Sequence, residues 1–355
     1  MVITVWATKS ADRPLKGNWS FQPECAWTVA ELKGEAWGKP HSVLILGNGN
    51  VAVFDPKLKS NVLLDAKGQM ITRFAPQGEG PQEVRSQSFW FSVDGLLLIP
   101  DMGCVHCYDE NGVWMESRKI APMPPPRGFI DKDRMVMAPR TRFEVGGDKG
   151  IFSIIDIKDG TQSRDLFEVT DLFTGGSARV GGDVMDILVP GLSPMFEVGV
   201  GPHYLVYGSS QTYDLHVVTL TGKELNRFGI QRKNTPIHRT QIARHIKTMN
   251  LPNEAVLPLA QSFPEELVSF EEILIRGDQI WVAQASLDRL SDSQVYDIFS
   301  KEGVYLYRAE LKLPEGEFLK SPFKNHDIRG NRLVAVIETP DGELYLASYQ
   351  IQTPD

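Results

Sequence analysis

Between His41 and Ile120 one order of short apolar runs and polar turns occurs twice: run, Gly turn, run ending near Asp, run, Gly turn, run. The first copy is HSVLILGNGNVAVFDPKLKSNVLLDAKGQMITRFAPQG and the second is SFWFSVDGLLLIPDMGCVHCYDENGVWMESRKI. Each run is too short for a helix and rich in β-branched and aromatic residues. The turns GNGN, DAKG, VDG and DENG supply Gly, Asn and Asp, which accept positive φ or bond their own backbone. A four-stranded antiparallel sheet recurring at about 45 residues is predicted. The runs are mixed apolar stretches rather than clean alternations, so both faces of the sheet must be buried. Such sheets cover one another when arranged radially, and the pattern predicts a β-propeller.

Blade one is predicted over 41–46, 51–55, 61–65 and 69–74, and blade two over 88–93, 96–100, 105–109 and 113–119. Blade three starts at Gly128 and runs through DKDRMVMAPR, IFSIIDIKDG and SRDLFEVT; blade four comprises PMFEVGVGPHYLVYG, YDLHVVTLTG and KELNRFGI. EEILIRGDQIWVAQA, VYDIFSKEG and VYLYRAEL make blade five. NHDIRG, NRLVAVIETPDG and ELYLASYQI give blade six only three strands. Its fourth is expected from the N-terminal AWTVAEL, in preference to VITVWAT, which closes the ring and removes an open sheet edge. Periodicity changes once, at HRTQIARHIKTM, where Ile242, Ile246 and Met249 share a helical face before a Pro-punctuated segment to Phe263. The expected fold is therefore a single-domain, all-β, six-bladed propeller over 1–355, with a helical insertion at 232–266 between blades four and five.

Hydrophobic residues at 42 %, with 31 Gly and 23 Pro, suit a turn-rich sheet protein and exclude a largely disordered chain. A formal charge of −8 without a dominant Lys/Arg cluster argues against nucleic acid as a partner. No apolar run reaches membrane length, and MVITVWATKSADRP has no basic segment followed by a long apolar stretch. A periplasmic or secreted mature chain is favoured over a cytoplasmic one. Trp6, Trp19, Trp27 and Trp37 crowd the region before blade one, either pinning it to the ring or forming an aromatic ligand surface.

The segment RFAPQGEGPQEV, followed by the runs to IPD and YDENG, resembles the repeat of NHL propellers and of TolB-like bacterial six-bladed propellers. Gly78, Gly80, Pro81, Glu83 and Val84 match the link between blades, with Val84 in place of an aromatic residue; Asp55 and Asp101 match the strand-end position. Arg140, Gly208, Gln284 and Glu338 stand near that position in the later blades, where the repeat has diverged. The resemblance implies the fold more than any activity, because such propellers host interaction modules, lyases and hydrolases.

In a propeller the first strands line the channel, so polar residues near first-strand starts and second-strand ends are the candidates. His41, His203 and His326 are read as the former, and Asp55, Asp101, Arg140 and Glu338 as the latter. Imidazole and carboxylate groups converging from several blades suit proton transfer or metal ligation. His203, His326 and Glu338 are the catalytic candidates; His41, Asp55, Asp101, Arg140, and the insertion residues Arg239 and His245 are the ligand-binding ones. No cofactor is predicted. A divalent cation such as calcium fits a channel mouth, yet neither an Asp-rich calcium loop nor the Glu, Asn, Asn, Asp quartet of lactonase propellers is present. Asp65, Asp94, Asp109 and Asp341 precede turn glycines and are read as turn caps.

The pair Cys104 and Cys107 in CVHC has the spacing of a redox site or half a zinc site, but a redox site needs a helix start and a zinc site a second ligand pair. Structural thiols are the expected reading. The leading function is a binding propeller that takes a small molecule, glycan, peptide or protein at the channel face carrying the insertion. The alternative is a lactonase-like hydrolase, lyase or isomerase using channel His and acidic residues.

Overall fold

The computed structural model describes residues 8–85, 91–120, 126–137, 149–158, 163–170, 176–180, 183–187, 189, 191–247, 249, 251–287, 290–320 and 325–354. Six antiparallel sheets form the blades of an all-β propeller. Blade one illustrates why the runs read as they did. Its two middle strands, Val51–Asp55 and Ser60–Leu64, are buried at every position, whereas the outer strand Met70–Phe74 alternates. Apolar side chains fill the spaces between blades rather than one central core. Val51, Val53 and Val62 of blade one meet Val334, Val336 and Leu346 of blade six, and equivalent clusters occupy the other five interfaces.

The turn chemistry matches its prediction at Asp65 and Asp109, whereas Asp94 accepts the Lys132 amide of blade three at 3.1 Å and the turn holding Asp341 is bonded through Thr339 Oγ1. Asp65 Oδ1 accepts the amides of Lys67 and Gln69, both at 2.8 Å, and Asp109 Oδ1 those of Asn111 and Val113 at 2.9 and 2.8 Å. In the link between blades one and two, Glu83 accepts the Gly80 amide at 2.8 Å. A Cβ on Gly78 would overlap that carboxylate, and Val84 is buried in the interface core.

The ring closes as expected in blade six. Glu24–Val29 lies antiparallel to Leu344–Gln350, the C-terminal strand. Upstream residues do more than the sequence suggested. Residues 1–7, most of VITVWAT, lie outside the described region, but Thr8–Ala11 pairs in parallel with Glu224–Gln231 of blade four, not with blade six. Asn18–Ser20 then adds to Tyr305–Lys312 of blade five. Residues 8–29 thus form a strap across the outer edges of blades four, five and six. Trp indoles pin it: Trp19 donates to the Gln352 carbonyl, Trp27 to Ala66 and Trp37 to Val29, at 2.7–2.9 Å. Of the two readings for these tryptophans, anchoring is the one their bonds describe.

Beneath the strap lies a buried charge. The Asp297 carboxylate, fully shielded from solvent, accepts Tyr213 Oη at 2.7 Å, Tyr305 Oη at 2.5 Å, Gln284 Nε2 at 3.1 Å and two Arg232 nitrogens at 2.9 and 3.0 Å. Arg232 also binds Asp12 of the strap, which bonds Arg308 as well. One network therefore joins strap, blade four and blade five.

The insertion holds two helices where one was predicted: α1, Arg239–Lys247, and α2, Asn253–Ser262. Pro252 sits at the N-cap of α2, where its missing N–H costs nothing, and Pro258 is tolerated inside because Ala255, Leu259 and Ala260 bury one face against Ile242 and Ile246 of α1. A hairpin that the sequence did not reveal, Gly176–Val180 with Asp183–Ile187, leads from blade three toward blade four and contacts α2. With Val189, Leu192, Ile237 and Phe263, the helices form a small separate core, a cap beside the ring. Among the described residues no helix is long and apolar enough to cross a membrane.

Asp297→Ala should cost about 3–5 kcal/mol, because it takes one of the two carboxylates from Arg232 and leaves the Tyr213 and Tyr305 hydroxyls and Gln284 without their shared buried acceptor. Asp12→Ala, whose carboxylate is 36 % exposed, should cost under about 1 kcal/mol. Urea unfolding of the two variants checks the contrast; equal costs would mean that the buried carboxylate is not the hub.

Candidate functional site

Antiparallel order places first-strand starts, second-strand ends and blade-to-blade connections at one end of the channel, and first hairpins at the other. Among the described residues, five blades carry an ionisable side chain near the start of the first strand. His41 opens His41–Ile45 of blade one, and Arg127 is second in Pro126–Asp131 of blade three. Glu197 is second in Phe196–Val200 of blade four, and Glu271 and Glu272 are second and third in Phe270–Arg276 of blade five. His326 opens His326–Arg329 of blade six.

Burial shapes their chemistry. It pushes the Glu197 carboxyl up to about 7, with the nearby Arg127 guanidinium pulling down and Glu272 and Glu271 pushing up. Arg127 Nη1 lies 3.8 Å from Glu197 Oε2. Burial likewise raises Glu271 to about 7, against the Ser286 amide, which donates to its Oε1 at 3.0 Å. His326 is driven down to about 4 by burial, with Asp327 opposing, so its imidazole is neutral near pH 7. The Tyr296 hydroxyl and His326 Nε2 are hydrogen-bonded at 2.7 Å. Arg127 Nε is buried without an acceptor among the described residues.

The cap reaches this end. Gly191, at φ +77°, packs against the Ser286 backbone that bonds Glu271, and its carbonyl accepts the Val268 amide at 2.9 Å. A larger residue at 191 would meet the Ser286 carbonyl at 3.1 Å, so the close approach requires glycine.

The other end holds a cleft of about 710 Å³ lined by Ile45, Arg276, Asp278, Trp281, Asp327 and Arg329. Most of its charged groups are committed to holding blades together. Arg276 pairs with Asp327 at 2.9 Å, Asp327 Oδ2 accepts the Ile45 amide at 2.9 Å, and Arg329 donates to the Ile45 carbonyl at 2.9 Å.

The structure distributes the predicted residues unevenly. His41 stands at the first-strand end as expected, Nδ1 3.0 Å from Ser42 Oγ and its ring edge-on to Phe54. Glu338 ends Arg332–Glu338 at the same end, one strand out from the channel and three residues beyond Ala335, the ladder partner of His326. His203 does not start a first strand. It sits exposed in the turn after Phe196–Val200, at the opposite end, because the first strand of blade four begins earlier than expected. The fold therefore keeps His203 away from His326 and Glu338.

Asp55 is occupied structurally, accepting the Gly38 amide at 2.6 Å and the Lys57 amide at 2.8 Å. Asp101 accepts the Arg85 amide at 3.0 Å and the Met102 amide at 2.7 Å. Arg239 faces no ligand cavity: it donates to the Ala260, Gln261 and Phe263 carbonyls at 2.8, 3.2 and 2.6 Å and to Glu265 at 2.9 Å, closing the C-terminal end of α2. His245 is half-buried on α1. Arg140 lies outside the described residues.

Glu197 should make stability depend on pH. Unfolded, it ionises near its ordinary 4.5; folded, it keeps its proton to about 7, so stability falls as pH rises between those values and stays lowered above them. The stability of Glu197→Gln relative to the parent should rise by up to about 3 kcal/mol between about pH 4 and pH 8. His326 acts in the other direction, stability being lost as pH falls from 6.5 to about 4. Thermal melts across pH check both; a flat Glu197→Gln difference would contradict the raised carboxyl.

No family model and no curated protein sequence matches this chain. Solved structures do. A member of the DUF4221 family from Bacteroides vulgatus is 11 % identical, with a TM-score of 0.54 covering 92 % of this chain and 99 % of that one. An exported protein from Bacteroides fragilis, described as putative, is also 11 % identical, with a TM-score of 0.52 covering 98 % of this chain and 99 % of its own. At this identity the likeness concerns the fold alone: the chain is a six-bladed β-propeller of the shape these proteins share.

Proposed function

We propose that the chain is a binding propeller whose ligand enters the first-strand end of the channel. The observation that carries this reading is the Arg127 guanidinium, whose side chain is 32 % exposed, set 3.8 Å from the Glu197 carboxyl with Glu271 near the same register on the next blade. Its guanidinium N–H groups can donate to an acceptor oxygen from outside, which would complete the site. Glu197 and Glu271 offer acceptors for hydroxyl or amine groups in return. A small polar molecule carrying both, such as a sugar unit of a glycan, has the matching chemistry. A calcium ion matches less well, because Arg127 brings positive charge to the same carboxylate. The link over residues 78–84 supports reading the chain as an NHL-like or TolB-like propeller, a shape used for binding.

A second reading rests on the same carboxyls. Groups titrating near 7 suit general acid–base work, and a neutral His326 held by Tyr296 would orient a substrate, as in a hydrolase, lyase or isomerase. Binding is favoured because His203 and His326 stand at opposite ends.

A thermal-shift screen of neutral, acidic and amino sugars and short peptides, followed by calorimetry, tests the proposal. A ligand is expected whose affinity falls at least about tenfold in Arg127→Ala and in Glu197→Gln. Binding unaffected by both but lost in Arg276→Ala would place the site in the opposite cleft and contradict it. Turnover of a bound compound, abolished by Glu197→Gln, would establish the second reading.

A further inference from the structure

Away from the channel, blade two gathers three side chains of a different chemistry. Asp101 ends the strand Leu96–Asp101, a two-residue turn with Gly103 at φ +81° follows, and Cys104 opens Cys104–Asp109 as the ladder partner of Asp101. Cross-strand partners share a face, and residues two apart on a strand do too, so Asp101, Cys104 and His106 all project to one side. Their Oδ2, Sγ and Nε2 atoms lie within 4.8 Å of one another. Cys104 Sγ is 3.2 Å from His106 Nε2, which is 3.7 Å from Asp101 Oδ2. The Asp101 and His106 side chains are 5 % and 6 % exposed.

Two chemistries use such a trio, and the geometry separates them. In a nucleophilic relay the carboxylate holds Nδ1 while Nε2 faces the thiol. Here thiol and carboxylate both face Nε2, and Nδ1 is taken by Ser117 Oγ at 2.8 Å, from the residue that pairs with His106 on the next strand. Three donors converging on one point, with the imidazole held from behind, is the arrangement of a metal site. Tetrahedral zinc with ordinary bond lengths would set S···N near about 3.6 Å and N···O near about 3.4 Å, within half an ångström of the observed separations.

We propose that Asp101, Cys104 and His106 bind one zinc ion, with Ser117 orienting His106 and water at the fourth corner. Thiolate, imidazole and carboxylate together suit this ion better than a hard cation such as calcium. Binding releases the Cys104 thiol proton to solvent as the Zn–S bond forms. The site uses half of the CVHC pair only. Cys107 projects to the other face, buried against Leu98 and Met135 between blades two and three.

Cobalt titration of the full chain, after treatment with chelator, tests this. One equivalent of Co²⁺ should produce a thiolate-to-cobalt charge-transfer band with the intense visible bands of tetrahedral cobalt, and Zn²⁺ should remove both. Cys104→Ser should abolish the charge-transfer band, Cys107→Ser should retain it, and Ser117→Ala, which touches no metal, should weaken Zn²⁺ binding roughly 10- to 100-fold. Circular dichroism checks that each variant is folded. No charge-transfer band in the folded parent chain, or one that survives in Cys104→Ser or disappears in folded Cys107→Ser, overturns the proposal.

Discussion

Every blade relies on two neighbours to cover its faces, so the whole ring depends on the join between the N-terminal segment and the last strand. Glu24–Val29 supplies that join against Leu344–Gln350, and Val334 and Val336 of blade six then bury against Val51 and Val62 of blade one. Without it blade six would keep an open edge and the seam would expose an apolar face. The strap extends the same device over two more blades, and Asp297 locks it from beneath. A carboxylate fully out of water is tolerable only because two tyrosines, one glutamine and one arginine surround it. Those partners come from both blade four and blade five, so satisfying the charge also sets how the two blades meet.

Ring closure has a chemical consequence at the axis. Six first strands arrive with their starts at one end, and a polar residue there in each of several blades becomes one of a converging group although far apart in sequence. Arg127, Glu197 and Glu271 are brought together in this way, with His326 on the first strand of the next blade. Burial then separates their behaviour: the carboxyls rise toward neutrality and the imidazole stays uncharged. The cap, built from three connections at the same end, touches this group through Ser286 and Gly191.

Much of the fold was legible because blades write themselves as apolar runs between turn residues, and residues 41–120 did so twice. The closing strand followed from counting, since blade six lacked one. The parallel strap strands were not legible: Thr8–Ala11 and Asn18–Ser20 are three or four residues long and polar, and their pairing is with backbone edges that leave no side-chain pattern. The second helix was hidden by Pro252 and Pro258, whose usual reading as breakers was outweighed by packing against α1. At the axis, position along the first strand pointed to His41 and His326, and the same rule applied to the first strands of blades three, four and five picks out Arg127, Glu197, Glu271 and Glu272. His203 was misplaced by a few residues, enough in a strand to move it to the other end of the channel. Arg239 looked like a ligand contact because nothing in the sequence of the inserted helix shows that three carbonyls await it.

The central claim is that the first-strand end of the channel holds carboxyls poised near neutrality. Carbon-detected NMR of the full chain labelled at the glutamate carboxyls, followed through a pH titration with Glu197→Gln and Glu271→Gln for assignment, measures this directly. The account predicts that these two resonances titrate near about 7, about two and a half units above ordinary glutamates. Two carboxyls titrating with the rest near the ordinary value would contradict it, and the channel would then be a solvated passage rather than a prepared site.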